Sequence, residues 1–122
     1  MIYHAMAADD WLAAPDRPYA PSSLRNEGFV HCSPDEPTAL AVVSSLFRDV
    51  EGPLLALVID EDALDAPVRW ETADGRPAAE ARGATLFPHV YGEINRDAVT
   101  RVMEIERDEE GHATRLTPGS GH

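Results

Sequence analysis

The sequence predicts one α+β domain, and three observations carry that expectation. Short strand-like runs recur along the chain, as in Phe29-Val30-His31-Cys32-Ser33 and Leu86-Phe87-Pro88-His89-Val90-Tyr91. A single well-marked amphipathic helix lies between them, with Leu40, Val43, Leu46 or Phe47, and Val50 at helical spacing. The length of 122 residues, with 43% hydrophobic and 26% charged residues, suits one folded domain with a core that needs no covalent staples.

The elements follow in order. Residues 2–5 are β-prone, and residues 7–14 favour a short helix that Pro15 stops. Pro18 and Pro21 flank Tyr19 and predict an extended loop. Residues 22–28 read as one helical turn closed by Gly28, and residues 29–33 as a strand. Ser33 or Asp35 caps the main helix, and Pro37 suits its first turn. Gly52-Pro53 ends that helix, so the continuous apolar run of residues 54–60 is expected to be a central strand buried on both faces. Val68-Arg69-Trp70-Glu71 reads as a short strand after Pro67. Residues 72–84 read as a mobile loop, because Ala, Gly, Arg and acidic residues bury little area. Residues 86–92 resume β character, with Pro88 expected to confine them to a sheet edge or a bulge. A capped turn at residues 95–98 leads into a strand over residues 99–106. The domain is placed at residues 1–107, with residues 108–122 as a hairpin strand or flexible tail.

Charge and composition exclude several functions. The net charge of −12 repels phosphate backbones and anionic lipid, so neither DNA nor a membrane is an expected partner. No apolar run approaches the roughly 20 residues that span a bilayer, and the start has no leader pattern, which predicts a cytoplasmic protein. Cys32 is the only cysteine, which rules out an intrachain disulfide and Cys-rich zinc modules. All ten basic residues are Arg, which removes Schiff-base chemistry and the lysine of a phosphate-binding loop.

The candidate chemistry lies with histidine. His4, His31 and His89 each sit within an apolar β-like segment, whereas His112 and His122 fall in a polar tail and are expected in solvent. One such histidine alone reads as a structural group bonded to a carbonyl; three together point to a shared cleft. Metal binding by the three with Glu71 is an alternative, but none of them has the close spacing of recognisable metal motifs. Cys32 beside His31 is no nucleophile pair if strand alternation holds, and is expected buried and unreactive. Arg69 and Glu71 share a strand face opposite Trp70, either as an exposed ion pair or as an anion-holding guanidinium beside a carboxylate. Tyr91 shares the face of His89, and Gly92 would let a ligand approach the backbone. Tyr3 and Trp70 are expected as core aromatics.

Tyr3-His4, the stretch from Ser23 to Ser33 ending Gly28-Phe29-Val30-His31-Cys32-Ser33, Val68-Arg69-Trp70-Glu71, and Phe87-Pro88-His89-Val90-Tyr91-Gly92 together resemble the bacterial domain-of-unknown-function family 952 over residues 2–105. The order of a Tyr-His strand, a Ser-Leu-x-x-Glu-Gly turn, an aliphatic-His-x-Ser strand and an aliphatic strand ending in Asp60 is also distantly similar to the RNA 2′-phosphotransferases. That resemblance implies an ADP-ribosyltransferase-like fold: a split, twisted, mainly antiparallel sheet with short helices and NAD in its cleft. Ala5-Met6 departs from the Gly-Thr of those transferases. The implied function is transfer or cleavage at an NAD-type nucleotide without metal, with His4, His31, Glu71 and His89 catalytic and Ser23, Arg69, Tyr91 and Gly92 holding the ligand. A non-catalytic module that binds a small anionic metabolite is the alternative, and a metal-dependent enzyme stands third.

Overall fold

The structure, a computed structural model, describes residues 1–119; His122 and the end of the expected tail lie outside the described residues. Among the described residues there are seven strands and three α-helices, the helices all in the first part of the chain. The first part comprises β1 (Ile2–Ala7), α1 (Ala8–Leu12), α2 (Ser22–Glu27), β2 (Val30–His31), α3 (Glu36–Leu46) and β3 (Leu54–Ile59). The second comprises β4 (Val68–Glu71), β5 (Phe87–Val90), β6 (Val99–Arg107) and β7 (Ala113–Pro118). One-turn 3-10 helices at Glu61–Ala63, Ala78–Glu80 and Arg96–Ala98 punctuate the loops.

The strands form two antiparallel sheets, ordered β1-β3-β6-β7 and β2-β5-β4. The domain is thus α+β, with antiparallel sheets and short helices. The sheets meet at one place, where Tyr3 and Ser33 exchange both backbone hydrogen bonds, at 2.9 and 2.7 Å. Apart from that bridge, β1 is the edge strand of its sheet.

The apolar run at residues 54–59 is explained by its position. Each residue of β3 is buried, because the strand lies between β1 and β6 and both of its faces are covered. Leu55, Leu57 and Ile59 pack with Ile2, Met6, Val30, Val90 and Ile94 between the sheets. Leu54 and Ala56 pack beneath α3 with Val43 and Ile105. Full burial of an aliphatic side chain contributes about 1.5–3 kcal/mol, so this strand is the energetic centre of the fold.

Helix α3 begins where the sequence predicts. The Asp35 carboxylate accepts from the Thr38 amide at 2.8 Å, and Pro37 occupies the first turn. Its buried row is Ala39 and Val43, with Phe47 half-buried after them, rather than the expected stripe: Leu46 is 74% and Val50 38% exposed. At the other short helix, Gly28 takes the left-handed conformation (φ 88°) and its amide donates to Leu24 at 3.0 Å, closing α2 as expected.

Four further expectations need correction. Strand β5 is the centre of its sheet, not an edge, despite Pro88. The carbonyl of Pro88 accepts from the Cys32 amide, so its missing N–H faces β2, and β2 ends at His31, opposite that gap. The expected strand over residues 29–33 is therefore two residues long, and Ser33 crosses to β1. Residues 72–84 are not featureless. The Thr72 hydroxyl accepts from the Arg76 amide at 2.9 Å, a 3-10 turn follows, and Pro77 bridges back to Glu71. Trp70 is 39% exposed and donates to Glu61 at 3.0 Å, because it lies on the solvent side of a β4 strand that turns Glu71 inward.

Candidate functional site

A cavity of about 1110 Å³ lies along the open edge of β1. His4, His31 and His89 all line it, carried by β1, β2 and β5. Antiparallel pairing sets His31 directly opposite His89, and their ring centres are 5.2 Å apart, edge to face. His4 reaches the same region through its Nδ1, which donates to the His31 backbone carbonyl at 2.6 Å. A carbonyl only accepts, so the proton of neutral His4 resides on Nδ1. Burial pushes the His4 pKa down to about 4, against the stabilising pull of that carbonyl and with the His31 ring adding to the depression.

His89 is fully buried and stands against Phe29, ring on ring at 4.2 Å. Its Nδ1 lies 3.0 Å from the Glu71 carboxylate, which also accepts from the Tyr91 hydroxyl at 2.5 Å. Burial raises the Glu71 pKa, but the hydrogen bonds from Tyr91 and His89 and the nearby charges of His89 and Arg69 overrule it and hold the carboxyl below its usual range. Burial likewise lowers the His89 pKa, with Glu71 opposing. Near neutral pH the pair is therefore a carboxylate and a neutral imidazole protonated at Nδ1. The second nitrogen, Nε2, is buried with no hydrogen-bond partner. His89 belongs to the cavity wall, whereas Glu71, which holds its Nδ1, does not.

The remaining expected residues divide. Ser23 lines the cavity, and Tyr3, expected in the core, is half-buried in its wall. Arg69 does not line the cavity. Its guanidinium lies over the Tyr91 ring, 4.7 Å from the centre, and forms no ion pair with Glu71, whose oxygen is committed to His89 and Tyr91. Tyr91 also stays outside the wall and instead fixes Glu71. Gly92 packs against Ala66: a Cβ at that position would meet the Ala66 Cβ at 2.7 Å, so its smallness serves packing rather than ligand approach. Cys32 is buried at the wall, and burial pushes its thiol pKa up. Among the described residues, no group of three or more His, Cys, Asp or Glu is arranged to hold a metal ion.

Sequence reasoning missed two residues here. Glu27 accepts from His31 Nε2 at 2.5 Å across the Gly28 turn, and its spacing of four from His31 was the available signal. Phe29 touches His31, His89 and Tyr91 together, a role that no sequence pattern marks.

The pattern of the family described as a protein of unknown function (DUF952) matches residues 5–102. The chain belongs to that family. Among solved structures, the DUF952 chain is similar to protein CC0527 of Caulobacter crescentus in its crystal form, at 25% identity and a TM-score of 0.72, covering 93% of this chain and 92% of that one. The solution structure of CC0527 gives 26% identity and a TM-score of 0.67, over 90% and 88% of the two chains. No curated protein matches the chain. Among the described residues, no helix is long and apolar enough to cross a membrane.

Proposed function

We propose that this DUF952 chain is an enzyme for hydrolysis or group transfer on a small ligand, with His89 as its general base. The observation that supports the reading is the unpartnered, buried Nε2 of a histidine whose Nδ1 proton is held by Glu71. A buried imidazole nitrogen without a partner costs free energy, and a ligand hydroxyl or water that donates to it removes that cost. In the reaction Nε2 takes the proton of the attacking hydroxyl, and the imidazolium is stabilised through Nδ1 by the Glu71 carboxylate. Tyr91 and Glu71 are positioning residues, and so is Phe29, which sets the plane of the His89 ring. A ligand at Nε2 enters beside the His31 ring, which lies edge to face with His89 and also contacts Phe29 and Glu27.

An NAD-type nucleotide in an ADP-ribosyltransferase-like cleft is the narrower version of this reading. It draws support from His4 and His31 meeting where the two sheets join, although Arg69 is not available there as its phosphate holder. Two measurements test the proposal. Nitrogen-15 NMR of the imidazoles at pH 7 is expected to find His89 protonated at Nδ1 and bare at Nε2. Turnover of a carboxylic-ester panel, and of NAD by nicotinamide release, is expected to fall by about 10²-fold or more in His89→Gln. A protonated Nε2, or turnover undiminished in that variant, overturns the assignment.

A further inference from the structure

The cavity is larger than an imidazole cluster needs, and its far end has a different character. Besides the histidines it is lined by β1, including Ala5 and Ala7, which also pack against the core under α3. It ends among Val42, Leu46, Phe47 and Val50 at the C-terminal part of α3. Val42 and Leu46 are one turn apart and form a second apolar row beside the buried row of Ala39 and Val43. This second row covers no core: Leu46 is 74% exposed, although it belongs to the wall of a cavity. The charges in the wall do not suit a polyphosphate. Asp10, Glu27 and Glu93 line it with two arginines, and one of these, Arg96, is committed to the carbonyls of Trp11, Ala14 and Arg17. One end therefore offers hydrogen-bonding imidazoles among carboxylates, and the other offers exposed aliphatic surface.

We propose that the ligand is an uncharged acyl compound, an amide or ester, whose carbonyl end lies at the histidines and whose aliphatic chain lies on Val42, Leu46 and Val50. The charge pattern selects this occupant, since an anionic head meets the three carboxylates and a purely polar ligand leaves the α3 row in water. The inference rests on the same cavity as the proposed function and names its substrate class.

The test uses the full chain and calorimetric binding of acetamide, octanamide and octanoate. Each buried methylene tightens binding by about fourfold, so octanamide is expected to bind at least about a hundredfold tighter than acetamide. Octanoate is expected to bind more weakly than octanamide. Leu46→Asp is expected to weaken octanamide at least about tenfold while leaving the unfolding transition in place, because Leu46 is exposed and supports no core. Three results overturn the proposal: no octanamide binding, equal binding by Leu46→Asp, or octanoate as the tighter ligand. A concentration-dependent dimer that Leu46→Asp abolishes also overturns it, since a second copy would then cover the row. Failure here with His89 bare at Nε2 leaves the general-base reading standing. Chain-dependent binding together with turnover unaffected in His89→Gln removes that reading and keeps this one.

Discussion

Acidification from pH 7 to pH 5 is expected to destabilise the protein through His4. The folded pKa of His4 is about 4, against 6.5 for the free side chain, because burial disfavours the imidazolium. Between those values the unfolded chain binds a proton that the native protein does not, so stability rises with pH. The contribution is fully present above 6.5 and is lost as pH falls toward 4. The difference between the two values amounts to about 3 kcal/mol, of which about 2 kcal/mol is lost by pH 5. His89, also depressed by burial, acts in the same direction. The lowered carboxyls of Glu71, Asp74 and Asp108 lose their stabilisation only at lower pH, near and below their ordinary values. Urea unfolding followed by tryptophan fluorescence measures the effect. At a slope of about 1–3 kcal/mol per molar, the midpoint is expected to fall by about 1 M between pH 7 and pH 5. The variant His4→Asn keeps an amide donor toward the His31 carbonyl but cannot titrate, so most of its shift is expected to vanish. Equal pH dependence in the two proteins would refute the reasoning.

Two further outcomes follow from packing. Gly92→Ala sets a methyl group 2.7 Å from the Ala66 Cβ and forces the two loop segments apart; a loss of about 1–3 kcal/mol is expected in the same urea assay, and an unchanged midpoint would show that the segments move freely. Cys32 is buried with its thiol pKa pushed up, so an aromatic disulfide reagent at pH 8 is expected to react only as fast as the protein opens; immediate reaction in the absence of denaturant would contradict its burial.

The sequence by itself determined the strand and helix segments wherever local chemistry and burial agree. Asp35 caps α3 and Gly28 closes α2 because those roles depend on the residue and its immediate neighbours. The continuous apolar run of β3 announced a strand covered on both faces, since only such a position needs every side chain apolar. The three strand-borne histidines were likewise visible, as was the burial of Cys32 between His31 and Ser33. Tertiary structure alone decided what each of them faces. Pro88 is central because its missing donor points at the end of a two-residue strand, a fact of sheet order that local propensity does not carry. Arg69 and Glu71 lie on one strand face as alternation requires, but only the fold sets Tyr91 between them, which takes the guanidinium onto its ring and the carboxylate onto its hydroxyl. The Leu46 row reads as core in one dimension. It is cavity wall in three, because Ala39 and Val43 already fill the face of α3 that meets the sheet.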